Sequence, residues 1–420
     1  MFVSLPLRWA AWGCPVSGLV VERKPFSFHN RGMKRYCRKV CVTDVRFLEE
    51  AARKCIVSNK RRRGLVAWLA GVSGLDCERV ARAIVREDEV FGQILRAVAE
   101  RIRGEIQGRR IELAPVRFRE LTDGSSGKVR KIGCLSVHQH FLDHVAVLAM
   151  QDILRRVGEY QVACVPGRGP LFGARRVSRW LRDRGQRYYC KLDVRKCYES
   201  ISPERLLVFF RERVANADLL YLLEVLLRQH GTGLCIGSYF SQHACNLFLS
   251  QVYHFASEGL ARVRRSRRGE VKRVRLVQHV LFYADDFLLL GRNRRDVERA
   301  AEAVAEFCAF LGLSVKPGFA VRDLERVQHG RKGFIDMMGY RIHRGFLTIR
   351  RRVWRRARRA LLRVAGQWRR GGRVLLSAAM RLGSYNGYVL HSESGRVVRR
   401  YGVDFLRRVC SDCISLAAVH

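Results

Sequence analysis

The residues best equipped for chemistry are two adjacent carboxylates. Asp285 and Asp286 interrupt the run Val280-Leu281-Phe282-Tyr283-Ala284-Asp285-Asp286-Phe287-Leu288-Leu289-Leu290, which is apolar on either side of them. The branched and aromatic flanks predict two short buried strands, with Tyr283-Ala284-Asp285-Asp286 as the tight hairpin turn between them. Burying ionised carboxylates without partners is strongly unfavourable, so the site needs a counter-charge, and a divalent metal ion supplies one directly. A solvent-exposed turn, whose aspartates make only turn hydrogen bonds, accounts for the same four residues, and the tetrapeptide alone does not separate the two readings.

Two further segments bear on that choice. Upstream, Tyr188-Tyr189-Cys190-Lys191-Leu192-Asp193-Val194-Arg195-Lys196-Cys197-Tyr198 is strand-like and leads to an acid, with the aromatic Tyr198 five positions beyond Asp193. Between the two lies Gly233-Leu234-Cys235-Ile236-Gly237-Ser238-Tyr239-Phe240-Ser241-Gln242-His243-Ala244-Cys245-Asn246, a glycine-containing turn that runs into an apolar helix. An acid on a strand, a glycine turn into a helix and a hairpin with two acids, in that order, resemble the palm of reverse transcriptases. The resemblance implies an α+β chain with a right-hand polymerase architecture. Helical fingers would span 43–185, an antiparallel-sheet palm 186–345, and a short helical thumb with a C-terminal tail 346–420, after a basic N-terminal extension over 1–42.

Composition fits a nucleic-acid partner. The chain has 420 residues, 48% of them hydrophobic, enough for a large core divided into two or three subdomains. Its 80 Lys+Arg against 38 Asp+Glu leave a formal net charge of +42 and a pI near 10.9. Such a chain repels itself at low salt, and a phosphate backbone is its natural neutralising partner, counterion release supplying affinity. The basic residues are spread along the chain rather than gathered on one amphipathic helix, which disfavours a membrane surface. No run approaches the roughly 18 apolar residues of a membrane span. Pro6 and Arg8 break the apolar start that a secretion signal needs, so the expectation is a cytoplasmic protein whose 14 cysteines are reduced thiols. The pairs Cys37/Cys41 and Cys410/Cys413 have metal-ligand spacing but no second pair beside them, and buried thiols are the expectation.

The elements that must position the acids leave their own signals. Residues up to about Lys39 are irregular and basic and read as a flexible arm. Val45, Leu48, Ala52 and Ile56 fall on one helical face, closed by the basic run Lys60-Arg61-Arg62-Arg63-Gly64, and 91–102 forms a second amphipathic helix. Thr122 to Ile132 is a Gly/Ser turn feeding a basic strand, in which Lys128 and Arg130 share one face, as binding of a polyphosphate requires, and an ordinary basic hairpin is the alternative. Ser136 is a candidate cap for a helix with Val137, Phe141, Val145 and Leu148 inward. His138, His140 and His144 on that helix lack acidic company and read as surface or core histidines. Pro166-Gly167-Arg168-Gly169-Pro170 makes a rigid turn before a helix from about Leu171 to Arg184. Further on come a basic hairpin from Arg262 to Arg275, an amphipathic helix from Asp296 to Leu311, and a strand over Leu311-Gly312-Leu313. A hairpin over 334–342 follows, whose Gly339 permits close backbone approach, then a cationic helix from Arg350 that is either a solvated charge run or, with Trp354 and Trp368 nearby, suited to track a duplex.

What the resemblance implies for single residues follows the family's motifs. Asp193 and Asp285 would bridge two divalent ions roughly 4 Å apart, with Asp286 as third carboxylate and the Val194 carbonyl as a further ligand; an all-oxygen set points to Mg2+. Lys128 and Arg130 match the fingertip Gly-Lys-x-Arg pattern that holds the triphosphate of a dNTP, although the family's usual Pro is Lys131 here. Tyr198 stands at the steric gate that excludes ribonucleotides. Arg168 matches a turn that holds template or nucleotide, Gly237 and Gln242 fall beside the nucleotide, and Tyr283 and Gly339 fall along template and primer. The Lys that the family carries after its Leu-Gly-Leu strand is replaced by Phe319, leaving Lys316 as an alternative proton donor to pyrophosphate.

Where most bacterial reverse transcriptases read Gln-Gly-x-x-x-Ser-Pro, this chain reads Ile236-Gly237-Ser238-Tyr239-Phe240-Ser241-Gln242. That departure resembles the enzymes of diversity-generating retroelements, which copy a template RNA with frequent errors opposite adenine and work with a small basic helical-bundle accessory protein. Ile offers dispersion where Gln hydrogen-bonds, a loss of about 1–2 kcal/mol of discrimination. The alternatives are that Ile236 is a packing variant with fidelity set elsewhere, that the chain is a defence or otherwise domesticated reverse transcriptase, and that it is a non-catalytic basic RNA-binding scaffold.

Overall fold

The computed structural model describes residues 34–60, 62–122, 129–265, 271–326 and 333–419. Its first helices are α1 (Val45–Asn59), α2 (Leu65–Ser73), α3 (Cys77–Arg86) and α4 (Glu89–Gln107). Asp44, Asp76 and Asp88 cap α1, α3 and α4 by accepting from the amides of Phe47, Arg79 and Phe91. The antiparallel ribbon β1 (Arg117–Thr122) and β2 (Val129–Cys134) projects with β1 exposed throughout. Helix α5 (Val137–Ala149), capped by Ser136 as expected, is buried on almost every side. Then come α6 (Gln151–Leu154), α7 (Pro170–Trp180), β3 (Tyr188–Asp193), α8 (Cys197–Ser200), α9 (Pro203–Arg213), α10 (Ala217–Arg228) and α11 (Tyr239–His254). The ribbon β4 (Ala261–Arg265) and β5 (Val271–Arg275) precedes β6 (His279–Tyr283), β7 (Asp286–Gly291), α12 (Arg294–Phe310) and β8 (Arg322–Asp323).

The central sheet runs β6-β7-β3-β8, antiparallel throughout. Alternation along each strand sends Cys190, Leu192, Val280, Phe282, Phe287 and Leu289 into a core shared with α5, α11 and α12. Tyr189, Leu281, Leu288 and Leu290 enter a second core against α7 and the small antiparallel sheet of β9 (Ile335–Met337), β10 (Tyr340–Ile342) and β11 (Leu347–Ile349). By the same alternation Lys191, Asp193, Tyr283 and Asp286 belong to the second face. The chain ends in α13 (Arg351–Gly371), α14 (Leu376–Leu390), α15 (Gly395–Tyr401) and α16 (Val403–Val419), packed through Ala357, Leu361, Val364, Leu382, Val403 and Leu406. Helices and antiparallel sheets do not alternate as βαβ units, so the α+β expectation holds. No helix among the described residues is long and apolar enough to cross a membrane.

Several local expectations change. The arm is docked from Tyr36 onward, because the Tyr36 amide donates to the Arg213 carbonyl and the Ala215 amide to the Tyr36 carbonyl, with Cys37 fully buried beside them. Residues 1–33 lie outside the described set. Helix α7 stops at Trp180, and Asp183 then holds a turn by accepting from the Gly185 amide (2.8 Å). The segment Leu311-Gly312-Leu313 is not a strand: only Val315 pairs, as a single bridge to Val194. The expected tail is instead the closing helix of the C-terminal bundle.

Candidate active site

Strands β3 and β7 pair in a register that puts Asp193 directly opposite Asp286, while Tyr283 faces Asp286 across the β6–β7 hairpin. A two-residue turn, Ala284-Asp285, sets the hairpin register. It holds Ala284 at φ 51°, a left-handed conformation that alanine seldom adopts outside sites where surrounding structure imposes it. The Val194 amide donates to the Asp285 carbonyl (3.1 Å), which ties the turn to the end of β3. Three carboxylates thereby gather at one end of the sheet.

Burial, followed by the charges of the neighbouring carboxylates, raises the pKa of Asp285. Burial likewise raises that of Asp286, with Asp193 adding to the effect. Cations oppose this. Arg130 of β2 acts on Asp285, and Lys191, Arg350 and Lys316 act on Asp286. The Lys316 ammonium pairs with Asp193 Oδ1. The Lys316 amide donates to the Asp193 carbonyl (2.8 Å), anchoring the segment after α12 to the strand end. On β9, Asp336 organises two more cations: Lys191 Nζ donates to its carbonyl (3.0 Å) and the Arg350 guanidinium pairs with its carboxylate.

Among the described residues no three His, Cys, Asp or Glu side chains form a ready-made metal site. The donor set nevertheless fits a hard divalent cation in kind, since its donors are all oxygen and the pKa values of Asp285 and Asp286 are raised by burial and by neighbouring carboxylates. The second face of the sheet opens on a cleft of 780 Å³ between β3 and α13–α14, where Lys191, Arg322, Arg350, Arg352 and Arg356 outnumber the single acid Asp336. That charge balance suits a polyanion.

Residues 121–318 match the family model described as reverse transcriptase (RNA-dependent DNA polymerase). The matched span takes in Asp193, Asp285, Asp286 and Lys316. No curated protein sequence matches the chain. Solved structures similar to it include telomerase from Candida albicans in complex with a TWJ fragment of telomeric RNA, at 14% identity and TM-score 0.41 over 72% of this chain. Apo telomerase from Candida tropicalis, truncated from its C-terminal domain, is similar at 11% identity and TM-score 0.38 over 57% of this chain. This chain spans 56% of each of those proteins.

The other residues singled out in the matched span sit as follows. Tyr198, in the short α8, has its hydroxyl pKa raised by burial, with the thiols of Cys245, Cys164 and Cys197 and the carboxylate of Asp285 around it. Lys196 at φ 47° turns the chain from β3 into α8. Ile236 accepts from the Gly133 amide of β2 (2.7 Å), and a Cβ on Gly237 would lie 2.7 Å from the Gly133 carbonyl, so no larger residue fits there. Gln242 Oε1 accepts from the Cys164 thiol (3.7 Å). Lys128 lies outside the described residues, whereas Arg130 reaches the field of Asp285.

Two assignments acquire different partners. The Arg168 guanidinium donates to the Gly158 carbonyl (2.9 Å) and braces its own turn. A Cβ on Gly339 would fall 2.4 Å from the Tyr388 ring, so its close approach is to helix α14. His138 does have acidic company, with Nε2 2.6 Å from Glu105, while His140 Nε2 is buried without a partner. Cys37 is buried and Cys41 exposed, and all the described cysteines are free. Sequence reasoning gave Lys191 and Asp336 no role, and placed Arg350 on a duplex-tracking helix rather than beside the acids. Only Lys191 left a signal, since it precedes Asp193 by two positions on the same strand face.

Proposed function

We propose that this chain is an RNA-directed DNA polymerase that copies a template RNA into cDNA from dNTPs, with Asp193, Asp285 and Asp286 as its catalytic carboxylates. The observation that carries this reading is the direct opposition of Asp193 and Asp286, with Asp285 in the adjoining turn, at the end of a sheet that faces a cation-lined cleft. The three carboxylates and the Val194 carbonyl would hold two divalent ions, Mg2+ by their all-oxygen chemistry. When bound, such ions stabilise the attacking 3′-oxygen and the leaving pyrophosphate oxygen.

The chain's own residues supply the rest. Arg130 and Lys128 neutralise the triphosphate, and Gly237 and Gln242 border the nucleotide. The Tyr198 ring occupies the space that a ribose 2′-hydroxyl needs. Lys316, already paired with Asp193, is an ammonium able to give a proton to departing pyrophosphate. Arg350, Arg352 and Arg356 neutralise the backbone of the RNA/cDNA duplex, with Tyr283 beside the primer end.

Within this class we assign the chain to the diversity-generating retroelement type, supported by Ile236 and Gln242 where relatives carry Gln and Pro, and expect a small basic helical-bundle protein as partner. Domesticated defence enzymes are the second reading. A silent RNA-binding scaffold gains nothing from three half-buried acids placed side by side. The test is extension of a DNA primer on an RNA template with Mg2+, comparing the parent with Asp285→Asn. The variant should bind RNA nearly as the parent does yet make no cDNA, and cDNA synthesis by it would remove the carboxylate assignment.

A further inference from the structure

A carboxylate that the proposed chemistry does not use is the most deeply buried acid near the site. Asp143, on α5, is fully buried, and its Oδ2 accepts from Ser238 Oγ (2.8 Å) and from the amides of Tyr239 (3.0 Å) and Phe240 (3.4 Å). These donors form the first turn of α11, where free amides and the helix dipole favour a negative charge. Ser238 itself accepts from the Ser241 amide (3.0 Å), so one hydroxyl caps the helix and is held by Asp143. Arg62 lends its charge without bonding, and Asp143 Oδ1 has no hydrogen-bond partner among the described residues. A fully buried, incompletely partnered carboxylate is destabilising in itself, which asks for a gain elsewhere.

The gain lies in what the capped turn touches. Immediately before α11, the Leu234 amide donates to the Tyr198 carbonyl (2.7 Å), and the Ile236 carbonyl accepts from the Gly133 amide of β2 (2.7 Å). Gly233 packs so tightly on Glu199 that an added Cβ would lie 2.6 Å from its carbonyl oxygen. One short turn therefore joins α8, which carries Tyr198, to β2, which carries Arg130. Asp143 holds the only end of that turn that enters a helix.

We propose that Asp143 is a positioning residue that locks the Gly233–Ser238 turn, and with it Tyr198, Ile236 and Arg130, in the arrangement that receives the incoming nucleotide. The inference rests on the polymerase reading above and specifies which interior group builds its nucleotide side. Asp143 does not touch substrate; it acts through Ser238 and the α11 amides.

The experiment compares the full-length parent with Asp143→Ala, Asp143→Asn and Ser238→Ala, measuring KM for dNTP, kcat, template RNA affinity and amide exchange at Gly133 and Leu234. Asp143→Ala should raise KM for dNTP about fivefold or more while kcat and RNA affinity stay within about twofold. Asp143→Asn should stay close to the parent, because its amide oxygen accepts from the same donors. Gly133 and Leu234, neither in contact with Asp143, should exchange faster in the alanine variant. An alanine variant that is less stable but has unchanged KM and unchanged exchange at those two amides overturns the proposal. If Asp143→Ala does not fold, Ser238→Ala removes one donor and the helix cap, and an unchanged KM there overturns it equally. A parent that makes no cDNA would sink the polymerase reading instead, and exchange at Gly133 and Leu234 would still decide the role of Asp143.

Discussion

Asp193 and Asp286 occupy one register position across β3 and β7. A slip of one residue in that pairing would send one acid to the opposite, fully packed face of the sheet, so the register that buries Phe287 and Leu289 also aligns the carboxylates. Packing and chemistry are specified by the same strand alternation.

Tyr198 is half-buried with Asp285 in its field, and the proposed role for its ring is to gate the reacting sugar. Tyr198→Ala should therefore incorporate ribonucleotides on the order of tenfold more readily relative to dNTPs. Single-nucleotide extension with paired rNTP and dNTP measures this, and an unaltered ratio removes the gate role.

At Ile236 the main chain is fixed by the Gly133 amide, leaving the side chain free to vary without moving the turn. Ile236→Gln should lower misincorporation opposite template adenine by about fivefold to tenfold, the equivalent of a regained hydrogen bond. Sequencing of cDNA from parent and variant reads it directly. Identical error spectra would place fidelity elsewhere.

Gly339 has φ 83° and no room for a methyl group next to Tyr388. Gly339→Ala should cost about 2 kcal/mol or more, combining backbone strain with the clash. Denaturant unfolding gives the value, and Tyr388→Ala in the same chain should recover the part due to the clash. Full stability in the single variant would contradict the observed contact.

His140 is buried on α5 without a partner for Nε2, and burial with the charge of Arg62 lowers its pKa from 6.5 to about 4. The unfolded chain thus binds more protons between those values, so stability rises with pH through the window and is lost as pH falls from 6.5 towards 4. Asp143, pushed up to about 7 by burial, acts in the opposite direction over its own window between 3.8 and 7. Comparing the parent with His140→Leu cancels Asp143: the parent should lose about 3 kcal/mol relative to the variant between pH 7 and pH 4. Parallel unfolding curves at both pH values would show that His140 is solvated.

The chain's local chemistry was readable from its letters. The Tyr283-Ala284-Asp285-Asp286 hairpin, the Ser136 cap and the helix over Asp296 to Leu311 each depend on neighbours within a few positions, where turn geometry, capping and apolar period act. The arrangement of Asp193 with the hairpin acids came from motif order and was realised by β3–β7 pairing. Only the tertiary structure decided the cations. Lys316 reaches Asp193 from an irregular segment that reads as a strand, Arg350 is aimed by Asp336 from a separate sheet, and Gly339 meets Tyr388 on a helix far along the chain. Asp143 was likewise one acid among many until α5 and α11 packed it at a helix terminus. The physical reason is range: caps and turns are settled by adjacent dihedrals, whereas the partner of a buried charge is settled by which distant segments the packed cores bring together.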